Sequence, residues 1–242
     1  MVGVSVGGAV TYTVGITCGM NNERDLLNRV FGAYPQVRVY SGDDRLNFPS
    51  LVPASVRLML DMGLCGGIGP GVHVADAVIA TTLSHRTGAV RKLTGSLQDR
   101  LRNAAIANQI AIKSVPYFSS GLFGTSDTLE QRQAIYNLEP DKPVAMSDET
   151  RFTDALTDSR GIEMQVCRVL SDSIYEDANL PPAARGHILR SNGAVDIPFL
   201  VGSLLLSPLQ IPALMKLKSD LDKAMVVLEQ YALAIRSVIL AY

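Results

Sequence analysis

An α/β layered fold is what the sequence predicts, and three observations predict it. Short β-favouring runs alternate with stretches of helical periodicity from Tyr12 onward. One run, Ile162 to Leu170, is broken only by Glu163, Gln165 and Arg168 and stops abruptly at Ser171-Asp172. That is the pattern of a buried strand delivering a carboxylate to the carboxyl edge of a sheet, where open α/β sheets bind ligands. Finally, Leu214, Leu217, Leu221, Met225, Leu228, Ala232 and Ile235 recur at helical spacing and mark a long, core-facing helix.

No linker or composition shift divides the chain, so residues 1–242 are expected to form a single domain. At 47% hydrophobic and 19% charged residues there is ample material for a core. A net charge of −1 with interspersed signs argues against a nucleic-acid partner. Cys18, Cys65 and Cys167 show no metal spacing and fit reduced thiols, and His73, His85 and His187 show no ligand spacing, so no metal is expected. Met1 to Val10 lacks a basic leader, and the uncharged stretch Ile197 to Met215 is interrupted by Pro198, Pro208 and Pro212. A cytoplasmic location follows as the expectation.

In order, Tyr12 to Cys18 reads as the first strand, and Gly19-Met20-Asn21-Asn22 turns into a helix facing the core with Leu26, Leu27, Val30 and Phe31. Asn21 or Asn22 can cap that helix, with Glu23 in its first turn. A carboxylate there stabilises the helix dipole by about 0.3–1 kcal/mol, and a functional role would require a second carboxylate facing it. Gln36 to Tyr40 and Leu58 to Met62 read as strands. The glycine-rich stretch Gly63 to Gly71 matches neither the dinucleotide fingerprint nor a P-loop, leaving a tight turn or a weak anion cradle. Asp76 to Leu83 is a strand, Ser96 to Lys113 a helix and Val115 to Leu122 a strand. Thr125-Ser126-Asp127 caps a helix of Leu129, Gln133 and Tyr136. Pro143 to Ser147 is a short strand, and Asp148 to Arg160 a helix opening with Glu149. Ser171-Asp172 can equally cap a helix starting near Ile174.

Four stretches, in order, resemble the motifs of the nucleoside phosphorylase and methylthioadenosine nucleosidase superfamily. They are Ile16 to Leu27 (a strand, Gly-Met, then Glu23), the glycine-rich Gly63 to Asp76 with Ala75 in place of a glycine, Ala145 to Thr150, and Arg168 to Asp172. Leu180-Pro181-Pro182, Gly193, Ser203-Leu204 and Pro208 to Leu214 look like the hopanoid-associated phosphorylases. The resemblance implies a three-layer α/β/α fold around a central mixed, twisted and partly barrel-like sheet. It also implies cleavage of the N-glycosidic bond of a purine (adenine) nucleoside by phosphorolysis, with an apolar 5′ substituent as in adenosylhopane. Hydrolysis of the methylthioadenosine type and a non-catalytic nucleoside-binding role are the alternatives.

Cleaving such a bond requires a proton for the departing base and a nucleophile at the anomeric carbon. The resemblance assigns the acid role to Asp172, oriented by Ser171 in a partly desolvated pocket, and nucleophile activation to Glu23. It assigns Glu149, with Ser147 and Asp148 beside it, to the ribose, and Leu129 and Thr125 to the base. Gly66 and Gly67 are candidates for an anion site, with inorganic phosphate as co-substrate and no cofactor. Two departures stand out: Ser147-Asp148 replaces Asp-Met, and Asp61 and Leu64 stand where hexameric phosphorylases place an arginine and a serine on phosphate. A homodimer is expected from the family, and weak membrane-surface association from the uncharged segment.

Overall fold

The computed structural model describes residues 12–41, 44, 47–85, 88–119, 129–138, 142–174 and 208–242. Eight strands form one mixed sheet: β1 (Val14–Thr17), β2 (Val37–Tyr40), β3 (Leu58–Gly67), β4 (Ala77–His85), β5 (Val90–Lys92), β6 (Ile112–Ser119), β7 (Ala145–Ser147) and β8 (Glu163–Ser173). The helices are α1 (Asn21–Phe31), α2 (Phe48–Leu51), α3 (Ser96–Ala107), α4 (Leu129–Leu138), α5 (Thr150–Arg160) and α6 (Ile211–Leu240), the last preceded by a 3₁₀ turn at Pro208–Gln210.

The sheet runs β2-β1-β3-β7-β6-β4-β5, and β8 pairs with both β3 and β4. β8 therefore closes β3, β7, β6 and β4 into a barrel, while β1 and β2 extend from it as an open wing. Closure leaves these central strands no free edge. β8 lies parallel to β3 and antiparallel to β4, giving the mixed, partly barrel-like sheet that the resemblance implies. Buried residues of β8 alternate: Met164, Val166 and Leu170 join one core cluster, Cys167 and Val169 another. Period-two alternation with both faces covered is why the run reads as nearly continuous apolar sequence. Arg168 shares the face of Val166 and Leu170 and is fully buried.

The long C-terminal helix is as expected: α6 buries Leu228, Ala232 and Ile235 and packs against α1, α3 and β8. Several boundaries differ from the sequence reading. β3 runs straight through Gly67, so the glycine-rich stretch begins as strand rather than turn. The helix expected over Ser96 to Lys113 stops at Ala107. Asn108 Nδ2 donates to the Ala104 carbonyl at 2.8 Å, and Gln109 takes a left-handed φ of 62°, a helix-ending conformation. Ile112 then starts β6. β5 and the short α2 have no counterpart in the sequence reading.

A bulge shapes the end of β8. Cys65 pairs with Leu170 and Gly66 with Asp172, so Ser171 is the extra residue. Bulges bend a strand and re-aim its side chains. This one sets Ser171 and Asp172 at the barrel mouth, within the strand rather than on a helix cap. Ala75, in the position of the family's glycine, is held at a left-handed φ of 68°, while its N–H donates to the Leu170 carbonyl at 2.8 Å.

Candidate active site

Glu23 and Glu149 face each other beyond the ends of β1 and β7, and Asp172, near the end of β8, lies opposite Gly66, three residues along β3 from the Gly63 that Glu23 packs against. Glu23 is buried in the first turn of α1, whose N-cap is Met20 rather than Asn21 or Asn22. The carboxylate accepts three backbone N–H groups: Gly19 at 2.7 Å and Met20 at 3.0 Å on Oε2, and Leu64 at 2.8 Å on Oε1. Dipole compensation alone does not need a contact on β3. Glu149 supplies the facing carboxylate that a functional role requires. A Cβ on Gly19 would lie 3.2 Å from the Glu149 carboxylate and 3.5 Å from Glu23 Oε2. Burial pushes the Glu23 carboxyl above its usual range, and Glu149 adds to that; the Arg168 charge and the hydrogen bonds from Leu64 and Met20 oppose it.

Glycines make this arrangement possible. A Cβ on Gly63 would meet Glu23 Oε2 at 2.7 Å, and one on Gly66 would meet Arg132 Nη1 at 3.2 Å. Glycine within a strand marks such close approach, so the run serves side chains arriving from α1 and α4. Gly67 packs beneath Leu170 and Asp172.

Asp172 is buried, as the acid role requires. Ser171 Oγ donates to Asp172 Oδ1 at 2.9 Å and approaches the Cys65 carbonyl at 3.2 Å, fixing the carboxyl plane. On the other oxygen, Oδ2, Asp172 is ion-paired with Arg132 of α4, a residue that sequence reasoning missed. Both side chains are mostly buried, 13% and 12% exposed.

Deeper in the barrel lies a second pair, Arg168 with Asp61, whose side chains are 1% and 0% exposed. Arg168 Nε reaches Asp61 Oδ2 at 3.3 Å, and Nη1 donates to the Leu64 carbonyl at 2.7 Å. Thr150 Oγ1 donates to Asp61 Oδ2, Thr17 Oγ1 to Oδ1 at 3.3 Å, and Thr17 shares a 2.8 Å bond with Thr153. Burial works against the Arg168 charge, but Asp61, Tyr117, Glu149 and Glu23 together outweigh it and hold the guanidinium charged, Asp61 contributing most. The departure at Asp61 is therefore a countercharge. The network passes from Arg168 through Leu64 to Glu23, because Leu64 gives its carbonyl to one and its N–H to the other.

The remaining candidates fall differently. Ser147 is buried and bonded to Thr150 Oγ1 at 2.6 Å, which makes it a support for α5. Asp148 is half-buried beside Glu149, which precedes α5 as its N-cap rather than opening the helix. Leu129 begins α4, and Thr125 lies outside the described residues, as does most of the uncharged segment from Ile197. Ser119, next to Ser147 in register, carries a buried hydroxyl that finds no hydrogen-bond partner among the described residues; such a group at a sheet end is suited to a ligand. All three cysteines are buried, and burial pushes the thiol of Cys167 up to about 12, which suits packing rather than nucleophilic attack. His85 binds Asp154 at 2.9 Å, away from these carboxylates. Among the described residues no three metal-binding side chains gather, and no helix is long and apolar enough to cross a membrane.

No protein-family model matches the sequence, and no curated protein matches it. The fold does have solved counterparts. The 5′-methylthioadenosine/S-adenosyl homocysteine nucleosidase of Helicobacter pylori superposes with a TM-score of 0.64 at 15% identity, covering 95% of this chain and 98% of its own. The futalosine hydrolase of the same organism gives 0.61 at 16% identity, covering 82% of this chain and 100% of its own. A Plasmodium knowlesi homologue of the P. falciparum PNP gives 0.58 at 12% identity, over 96% and 91%. The architecture is thus the nucleoside phosphorylase-like α/β fold.

Proposed function

We propose that this protein cleaves the N-glycosidic bond of a purine nucleoside, with water as the nucleophile. The observation that carries this reading is the facing pair Glu23 and Glu149 with Asp172 further along the same stretch of β3, three carboxylates in environments suited to three tasks. Glu23, held by three backbone N–H groups and pushed above its usual range by burial, suits a general base, whose best pKa lies near the working pH. Glu149, across Gly19 from it, suits the ribose hydroxyls, because a charged acceptor bonds more strongly than a neutral one. Asp172, oriented by Ser171, suits protonation of the base. The water oxygen bonds to the anomeric carbon while its proton passes to Glu23. The bond to N9 breaks, its electron pair enters the purine ring, and N7 takes the proton of Asp172.

Water is favoured over the phosphate expected from the sequence because Asp61 engages the Arg168 guanidinium and Leu64 offers no hydroxyl. Phosphorolysis is supported by one observation, the Arg132 guanidinium lying over Gly66, where an anion could be held. An apolar 5′ substituent, as in adenosylhopane, extends the reading from residues 180–214, and a homodimer extends it from the family. Purine release from nucleosides with hydroxyl, methylthio and alkyl 5′ groups, each with and without phosphate, tests the reaction and the 5′ group. Free sugar formed at the same rate in both conditions is the expected result. Sugar 1-phosphate would establish phosphorolysis, and no release from any nucleoside would leave a binding protein.

A further inference from the structure

Arg132 has no part in the reaction just described, yet it occupies the oxygen of Asp172 that Ser171 does not. The contact is built rather than incidental. Gly66, directly opposite Asp172 in the β3–β8 register, leaves room for the guanidinium, since any Cβ there would lie 3.2–3.4 Å from its atoms. With Ser171 on Oδ1 and Arg132 on Oδ2, both carboxyl oxygens are engaged as acceptors. A base arriving at this carboxyl meets hydrogen-bond donors.

Purines answer such an edge in two ways. A 6-oxopurine presents acceptors at both N7 and O6, whereas adenine presents an acceptor at N7 and a donor at its 6-amino group. Arginine accordingly pairs with the O6/N7 edge, and a 6-amino group facing a guanidinium N–H opposes donor to donor.

We propose that Arg132 is the specificity determinant for the base, and that the substrate is a 6-oxopurine nucleoside. Its O6 draws the guanidinium off Asp172 Oδ2, and the freed oxygen takes up a proton from solvent water, which it delivers to N7. The inference rests on the reading of the site given above and replaces the adenine expected from the sequence. A 6-amino group has no acceptor to offer, so Arg132 stays on Asp172 and the acid remains blocked. Discrimination therefore appears in kcat as well as in KM. Arg132 is a switch the base itself operates.

The test compares inosine with adenosine, each also as the 5′-methylthio derivative, in the wild type, Arg132→Ala and Arg132→Lys. The wild type is expected to favour the 6-oxo member of each pair by on the order of 10- to 100-fold in kcat/KM. Arg132→Ala should slow the 6-oxo substrates and speed the 6-amino ones, collapsing the ratio, and Arg132→Lys should restore part of it. A wild-type preference for adenosine would overturn the inference, as would equal slowing of both series by Arg132→Ala. Calorimetric binding of hypoxanthine and adenine separates this claim from the reaction. Arg132-dependent preference for hypoxanthine without turnover would keep the base assignment and end the hydrolase reading, while equal binding of the two bases would end the assignment.

Discussion

Two buried arginine–aspartate pairs among the described residues differ in what holds them. Arg168 and Asp61 both project from barrel strands into its interior, where strand pairing fixes their positions and Thr17 and Thr150 complete the bonding. Arg132 and Asp172 join a helix to the barrel mouth, and only the strand partner is fixed by the sheet. The first pair is built not to change. The second ties a flexible side chain to the group whose proton the chemistry needs, so it is suited to exchange partners. A buried pair can thus be scaffold or switch, and the difference lies in how many of its members sit on the sheet.

Removing one partner from each pair gives the largest expected contrast. Asp61→Ala leaves Arg168 charged in the barrel and should destabilise the fold by about 3–5 kcal/mol. Arg132→Ala leaves Asp172 with Ser171 still on its other oxygen, and its expected cost is smaller, about 1–3 kcal/mol. Denaturant midpoints at constant slope measure both. Equal losses would erase the distinction.

The next effect is on pH dependence. Glu23 is raised by burial, with Glu149 adding to the rise, and it serves as a base only when ionised. The acid limb of kcat/KM should therefore lie above the ordinary glutamate range, and Glu149→Gln should move it down. The same shift has a stability sign: the neutral form is favoured in the folded chain, so this contribution is complete below the unfolded value and is lost as pH rises through the folded one. An acid limb unaffected by Glu149→Gln would separate the two carboxylates.

The smallest effect concerns Ala75. Its left-handed φ of 68° costs a non-glycine residue about 1–2 kcal/mol, partly offset by the entropy that glycine adds to the unfolded chain. Ala75→Gly should raise stability by up to about 1 kcal/mol, or a melting-temperature gain of about 2–4 °C, with no change in turnover.

Much of this was legible in the sequence, and the exceptions have physical causes. β8, α6 and the order of the elements showed because alternation and helical periodicity are local signals. Glu23, Glu149 and Asp172 stood out in the sequence as carboxylates at the ends of strand-like runs. Arg132 was invisible because its partner lies 40 residues away and barrel closure alone brings them together. Asp61 did leave a trace: Arg168 interrupts an apolar strand, and a buried arginine there demands a carboxylate on a neighbouring strand. The glycine run read as a turn or an anion cradle because strand glycines look like loop glycines until the side chains filling their space are known. Asn108 and Ile112 fall at helical spacing with Leu97 and Leu101, so periodicity carried the helix past the residue that ends it.

The most direct test of the whole account is the rate of purine release by the wild type, Glu23→Gln and Asp172→Asn, on whichever nucleoside the wild type prefers. Each variant should lose on the order of 100- to 10,000-fold in kcat while remaining folded. Wild-type turnover in either variant would contradict the claim that the two carboxyl groups act on one glycosidic bond.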